Sequence, residues 1–206
     1  MSDKIMVVRN TYLFNGENHF EGYKPSGQED YESRILKYYE YMARDLAEEN
    51  PAYKQPIGYA VVINPSLGQV FAYQRSKQDK KYPEKRLQGK HSWGVGGHIK
   101  KVDNATGNPI YGSMLREIRE EVDIQGSVDL KPIGYVNTEV DEVSSVHFGI
   151  LYAAITDATV VIPKDSEIAN GRLCPIGELA EICQSPDFTV EEWSRIALEP
   201  LAELCA

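Results

Sequence analysis

The most constraining feature of the sequence is a glutamate-rich segment that follows a pair of glycines. The glycines are Gly96 and Gly97, and residues 115–122 read Leu-Arg-Glu-Ile-Arg-Glu-Glu-Val. Apolar residues in this segment recur at the i, i+3, i+7 spacing of a buried helical stripe, whereas Glu117, Glu120 and Glu121 fall on another face. The spacing therefore predicts a helix that carries three carboxylates on one patch.

Three neighbouring carboxylates call for positive charge, because like charges a few ångström apart repel by about 1 kcal/mol per pair in water. Mg²⁺ prefers oxygen ligands and commonly bridges carboxylates to substrate phosphates. The alternative is a solvated helix face with pairs such as Arg116 and Glu120, worth only a few tenths of a kcal/mol. Arg-Glu-x-x-Glu-Glu should occur by chance in only about 0.3% of chains this long. The metal-binding interpretation is therefore preferred.

Together with the double glycine, this segment resembles the motif of the Nudix hydrolases, which cleave diphosphate linkages with Mg²⁺ or Mn²⁺. The family pattern is Gly, five residues, Glu, seven residues, then Arg-Glu-aliphatic-any-Glu-Glu-any-Gly-aliphatic. The matching positions are Gly97, Arg116, Glu117, Ile118, Glu120, Glu121 and Ile124. The resemblance implies that the Gly97 carbonyl and the three glutamates are metal ligands, with Glu120 or Glu121 sharing the role of base. Arg116 would orient the carboxylates by ion pairing.

The front half of the motif departs from the family pattern. The interval from Gly97 to Arg116 is five residues too long, and counting back from Arg116 places Asn108 at the early Glu and Asp123 at the late Gly. Asp tolerates the left-handed conformation that ends a helix. Asn108 cannot carry negative charge but can accept hydrogen bonds and so hold the loop. Asp103 is a second candidate to replace the missing acid.

Further site residues are expected outside the motif. The resemblance implies a late glutamate that completes the metal site or serves as base, with Glu167 the first choice and Glu142 the second. Arg75 and Arg86 flank a locally basic segment and are predicted to neutralise substrate phosphates, although a solvated basic loop is the alternative. His98 is predicted to contact substrate.

The pattern of elements predicts an α/β fold. Residues 57–63 and 69–74 form a predicted hairpin, 91–99 a strand, and 26–50 one long tyrosine-rich helix that opens at Ser26. The resemblance implies a Nudix-like α/β/α sandwich with a mixed sheet. We expect residues 1–55 to form an added arm and helix and residues 56–206 to form the hydrolase domain. The tyrosine-rich helix would pack on the domain, form a homodimer interface or line the substrate pocket.

Composition excludes several classes of function. The 22 basic and 31 acidic residues give a net charge of −9, the wrong sign for a protein that clamps long nucleic acids. No apolar run approaches the roughly 20 residues that span a bilayer, so no membrane partner is expected. Cys174, Cys183 and Cys205 form neither a close metal-ligand pair nor an even disulfide framework, which favours a reducing cytoplasm.

The sequence thus predicts a divalent-metal-dependent hydrolase that cleaves a diphosphate linkage in a nucleoside diphosphate derivative or a similar small phosphorylated metabolite. The alternative, motivated by Asn108 and the longer loop, is a catalytically weakened Nudix-fold module that binds a nucleotide or other ligand for regulation. The sequence leaves the identity of the substrate open.

Overall fold

The structure is a computed structural model, and it describes residues 3–17, 19–76, 87–140 and 142–205. The strands are β1 Lys4–Arg9, β2 Gly22–Pro25, β3 Glu40–Ala43, β4 Tyr53–Asn64, β5 Gln69–Arg75, β6 His91–Ser92, β7 Val122–Ile124, β8 Val128–Asn137, β9 His147–Thr156, β10 Val161–Pro163 and β11 Ile168–Pro175. The helices are α1 Asn10–Leu13, α2 Tyr31–Tyr38, α3 Arg44–Glu48, α4 Pro109–Glu121, α5 Glu142–Val146, α6 Ile176–Gln184 and α7 Glu192–Leu204. Short 3-10 helices cover Pro65–Leu67 and Lys101–Thr106.

The predicted α/β class with a mixed sheet is confirmed. The chain divides into two compact units, each assembled from separate stretches. The first unit comprises Met1–Tyr59, Gly96–Glu117 and Pro132–Tyr152, and the second comprises Ala60–Val95, Ile118–Lys131 and Ala153–Ala206. These units interleave along the chain, so the predicted division at residue 55 stays a prediction. No helix in the described ranges is both long and apolar enough to cross a membrane.

The first unit is built on β4, β9, β8 and β2, which neighbour one another in that order. Strand β1 pairs antiparallel with β3 and also with the start of β4, where Val8 lies opposite Lys54. Aromatic rings fill the space beside these strands. Tyr31 is buried, with its ring centroid 5.0 Å from that of Tyr135 and 5.2 Å from that of Phe148. The packing role predicted for the tyrosine-rich segment therefore holds at Tyr31.

The single helix predicted over 26–50 is wrong. Asp30, not Ser26, caps α2, because its Oδ1 accepts from the Ser33 backbone N–H at 3.0 Å. Residues Glu40–Ala43 then form β3, with Met42 opposite Ile5 of β1, before the chain returns to helix in α3. The apolar spacing of residues 31–46 fits a helix, but pairing with β1 satisfies the backbone groups of both strands and overrides it.

The second unit contains the predicted hairpin, which is confirmed. Ile63 of β4 lies opposite Val70 of β5. In the turn, Asn64 Oδ1 accepts from the Leu67 backbone N–H at 3.2 Å, and Gly68 adopts a left-handed conformation with φ 60°. On the other side, β11 pairs antiparallel with β5. Helices α6 and α7 contribute Leu179, Ala197 and Leu201 to the core of this unit.

The strand predicted over 91–99 is mostly wrong, because β6 ends at Ser92 and only isolated bridges follow. In the first unit one such bridge joins His98 to Ile57. Gly96 has φ 151°, and a Cβ built on it would lie 1.9 Å from the carbonyl oxygen of Gly58. Only glycine permits this close approach of two backbone segments. The irregular backbone delivers Gly97 to the start of the candidate site.

Candidate active site

Helix α4 begins where Asn108 satisfies its free backbone donors. Asn108 Oδ1 accepts from the backbone N–H of Ile110 at 3.0 Å and of Tyr111 at 3.2 Å. Its Nδ2 donates to Glu32 Oε1 at 2.9 Å. The expectation that Asn108 holds this part of the chain by hydrogen bonding is confirmed, and its specific task is to cap the helix.

Arg116 is the electrostatic centre of the motif. Its Nε donates to Asp103 Oδ1 at 2.8 Å, its Nη2 donates to Asp103 Oδ2 at 3.1 Å, and its Nη1 donates to Glu117 Oε1 at 2.6 Å. Asp103 is only 4% exposed. The hydrogen bonds to Asp103, followed by the charge of Glu117, raise the pKa of Arg116 further above its ordinary value. A two-point ion pair of this kind fixes the orientation of a guanidinium as well as its position.

Gly97 and Glu117 lie directly against each other in the first unit. A Cβ built on Gly97 would be 2.7 Å from Glu117 Oε1, so a larger residue at position 97 would displace that carboxylate. Arg116 Nη2 also donates to the carbonyl oxygen of His98 at 3.2 Å. The glycine therefore leaves room for a carboxylate that Arg116 holds beside the backbone.

Asp103 also fits the position of the early acid in the family pattern. The family pattern places an acid six residues after its first glycine, and Asp103 lies six residues after Gly97. Counting forward from the glycine, instead of back from Arg116, finds it directly. The five extra residues then fall between Asp103 and Arg116.

The three glutamates of α4 differ in burial: Glu120 is exposed, Glu117 is partly buried and Glu121 is 9% exposed. The backbone carbonyl of Glu121 accepts from the Lys164 backbone N–H at 2.8 Å. The Gly97 carbonyl and the glutamates of α4 offer only oxygen ligands. Mg²⁺ and Mn²⁺ favour such ligands, so these residues fit either ion.

Comparison with known proteins bears on this arrangement. No protein-family model matches the sequence. Protein YmaB of Bacillus subtilis (strain 168) is 29% identical over 212 residues, which cover 98% of both chains. The crystal structure of Tm1382, a candidate Nudix hydrolase, superposes with a TM-score of 0.78 at 26% identity and covers 98% of this chain and 100% of Tm1382.

The Nudix resemblance is confirmed, and the chain has the Nudix fold. A more distant neighbour is the Nudix domain of Shewanella oneidensis NrtR, solved with ADP ribose. It has a TM-score of 0.51 and 16% identity over 71% of this chain and 86% of that domain. At that identity the likeness concerns the fold alone.

The two candidates for the late Nudix glutamate lie in different settings. Glu167 lies between β10 and β11 in the second unit, where its backbone N–H donates to Asp165 Oδ1 at 2.8 Å. Its carbonyl accepts from the Ser76 backbone N–H at 2.9 Å. Glu142 is exposed at the start of α5 in the first unit. Both assignments stay predictions.

Of the two arginines predicted to bind substrate phosphates, the structure describes Arg75. Arg75 Nε donates to Glu191 Oε1 at 2.7 Å in the second unit, and its guanidinium lies 5.2 Å from the centroid of the Tyr73 ring. Its charge is thus already balanced by a carboxylate that is 7% exposed. Arg86 lies outside the described residues. The substrate roles of both arginines remain predictions.

His98 makes contacts that the sequence did not indicate. Its Nε2 lies 2.8 Å from Gln55 Oε1 and 3.3 Å from His147 Nε2. Burial, and after it the charges of His147, Arg44 and Lys100, hold the pKa of His98 well below its ordinary value. The sequence gives no sign of the contact with His147, because that residue opens an apolar strand.

Proposed function

We propose that this chain is a divalent-metal-dependent hydrolase of the Nudix type that cleaves a diphosphate linkage in a small phosphorylated metabolite such as a nucleoside diphosphate derivative. The substrate class follows from the Nudix resemblance and from the net charge of −9, which disfavours long nucleic acids. We expect the protein to act in the cytoplasm.

One observation carries this proposal: Arg116 joins Asp103, Glu117 and the backbone beside Gly97 in one network. A solvated helix face would not need a buried aspartate to hold its arginine in two-point contact. The network holds the Glu117 carboxylate against the glycine that the family resemblance names as a ligand. This is the preorganisation that a metal-binding site requires.

The residues have distinct roles in this proposal. Mg²⁺ or Mn²⁺ would be held by the Gly97 carbonyl and by Glu117, Glu120 and Glu121, and would supply positive charge and a lowered pKa of bound water. Arg116 orients the Glu117 carboxylate by ion pairing. Glu120 is exposed and able to accept the proton of the attacking water. Attack on phosphorus by that water breaks the bond to the bridging oxygen of the diphosphate.

Substrate contacts are proposed for Arg75 and Arg86, and the sequence also predicts one for His98, whose Nε2 already contacts Gln55 and His147. The Nudix domain of NrtR was solved with ADP ribose, so a nucleoside diphosphate sugar is a sensible first substrate to test. We keep the choice open among diphosphates joined to a nucleoside, a sugar or another group.

The test is release of monophosphate or phosphate from a panel of nucleoside diphosphate derivatives, beginning with ADP ribose, in Mg²⁺ and separately in Mn²⁺. We expect metal-dependent turnover of at least one compound and its loss in excess EDTA. Tight binding of a compound without turnover under either metal would instead support the regulatory binding module.

A paired substitution separates the candidates for the late carboxylate. If Glu167 completes the site, Glu167→Gln should lower kcat by about a hundredfold or more while Glu142→Gln leaves it nearly unchanged. The reverse result would assign the role to Glu142. Similar rates in both variants would remove both residues from the mechanism.

A further inference from the structure

We propose that Glu48, His98 and His147 form a second, chemically different metal site that takes a transition-metal cation such as Zn²⁺. Their ligand atoms all lie within 4.8 Å of one another. All three belong to the first unit: Glu48 ends α3, His98 follows Gly97, and His147 is the first residue of β9. The cluster thus brings together three separate stretches of the chain.

A hydrogen bond holds the His147 imidazole in the tautomer that metal binding through Nε2 requires. Its Nδ1 lies 2.6 Å from the carbonyl oxygen of Val143. A carbonyl oxygen can only accept, so Nδ1 carries the proton and the lone pair of the neutral ring is on Nε2. Histidines that bind metals through one nitrogen usually donate the other to a carbonyl or carboxylate in this way. The Val143 carbonyl therefore presents His147 Nε2 to the cluster.

The spacing of the two rings matches a shared cation. His98 Nε2 and His147 Nε2 are 3.3 Å apart. A tetrahedral Zn²⁺ with Zn–N bonds of about 2.0–2.1 Å holds two nitrogens about 3.3–3.4 Å apart. His147 is 8% exposed and His98 is partly buried, so the pair is partly shielded from bulk water. The distance satisfies the metal geometry without movement of either ring.

Gln55 supplies an independent observation beside the cluster. Its side chain is fully buried, its Oε1 contacts His98 Nε2, and its Nε2 has no hydrogen-bond partner among the residues that the structure describes. An unpaired buried amide costs about 1–3 kcal/mol. If the His98 nitrogen binds a cation, Gln55 no longer has to accept from it, and its amide can turn to pair differently.

The donor set selects a different class of cation from the one proposed at α4. Two imidazoles and one carboxylate suit Zn²⁺ and other first-row transition metals, whereas oxygen-only ligands suit Mg²⁺. Glu48 Oε1 also accepts from Arg44 Nε at 3.3 Å, a contact that the metal would compete with. Three protein ligands leave the fourth position for water or another ligand.

The first experiment measures Zn²⁺ binding to the full chain after chelator treatment, with excess Mg²⁺ present to occupy oxygen sites. A chromophoric chelator reports the affinity, and elemental analysis reports the stoichiometry. We expect about one tightly bound Zn²⁺. At free Zn²⁺ about a hundredfold above Kd, Tm should rise by roughly 5–10 °C.

Matched variants locate the ion. His147→Gln should lower the affinity for Zn²⁺ by at least tenfold and abolish the rise in Tm, whereas His91→Gln, at a histidine of the second unit, should do neither. Glu117→Gln should also retain Zn²⁺ binding, so the site can be judged without any measurement of hydrolysis. Wild-type affinity in His147→Gln, or no stoichiometric Zn²⁺ in the wild type, would overturn the proposal.

A second measurement needs no substitution and covers the case in which His147→Gln fails to fold. Ring signals of the wild-type histidines are followed by nuclear magnetic resonance during addition of Zn²⁺. We expect the signals of His98 and His147 to shift together and those of His91 to stay in place. Shifts confined to other residues would contradict the site.

Discussion

At the scale of single residues, two different side chains supply the acid that pairs with Arg116 and the N-terminal cap of α4. Asp103 balances Arg116, while Asn108 caps α4 and contacts Glu32. Sequence spacing shows that five residues are inserted but not where they lie, because the insertion can fall on either side of the acid. The helical half was predictable from its periodicity, whereas the partner of Arg116 depended on the path of the loop.

Asp103→Asn should lower both stability and turnover. Removing the charge of Asp103 weakens the two-point ion pair that holds Arg116, so we expect the free energy of unfolding to fall by about 1–3 kcal/mol. Turnover should fall because Glu117 is no longer held in place. Urea denaturation and initial rates measure the two effects. Asp123→Asn, at an exposed aspartate, is the control, and equal stability of the two variants would refute the role of Asp103.

Asn108→Glu should not increase the rate. The Nudix pattern has an acid at this position, but the substitution removes the helix cap and places a carboxylate beside Glu32. We expect a loss of about 1–2 kcal/mol in unfolding free energy and no gain in kcat. Asn108→Ser keeps a capping oxygen and should lose less. A faster Asn108→Glu enzyme would mean that Asp103 does not replace the early acid.

At the scale of elements, the predictions succeeded where local pattern and tertiary pairing agree. The hairpin of β4 and β5 has strong turn residues, and α4 has a clear apolar stripe, so both could be read from the chain. Strand β3 could not, because its partner β1 lies more than thirty residues earlier. The start of α2 is a local error, because its cap is Asp30, four positions after the predicted Ser26.

Asp30→Ala should destabilise the protein by about 1 kcal/mol near neutral pH, and Ser26→Ala should change it little. The backbone N–H of Ser33 lowers the pKa of Asp30 below its ordinary value. The stabilisation is therefore complete above pH of about 4, the unfolded pKa, and is lost as the pH falls through the lower folded pKa. Denaturation midpoints at neutral and acid pH measure it, and a constant difference between wild type and Asp30→Ala would contradict this assignment.

At the scale of the whole molecule, the α/β class and the Nudix fold could be predicted from the sequence. The second metal site could not, because Glu48, His98 and His147 are separated along the chain and meet only through the fold. The chain has a net charge of −9. The two proposed cation sites, which differ in chemistry, would each add positive charge locally.

The central claim is that α4 carries a metal-dependent hydrolytic site, and one comparison tests it most directly: kcat and Tm of Glu120→Gln against Glu199→Gln, at an exposed glutamate of α7. The assay uses the best substrate of the panel in Mg²⁺. We predict that kcat falls by about a hundredfold or more only in Glu120→Gln, while both variants keep Tm within about 2 °C of the wild type. Wild-type turnover in Glu120→Gln would contradict the account.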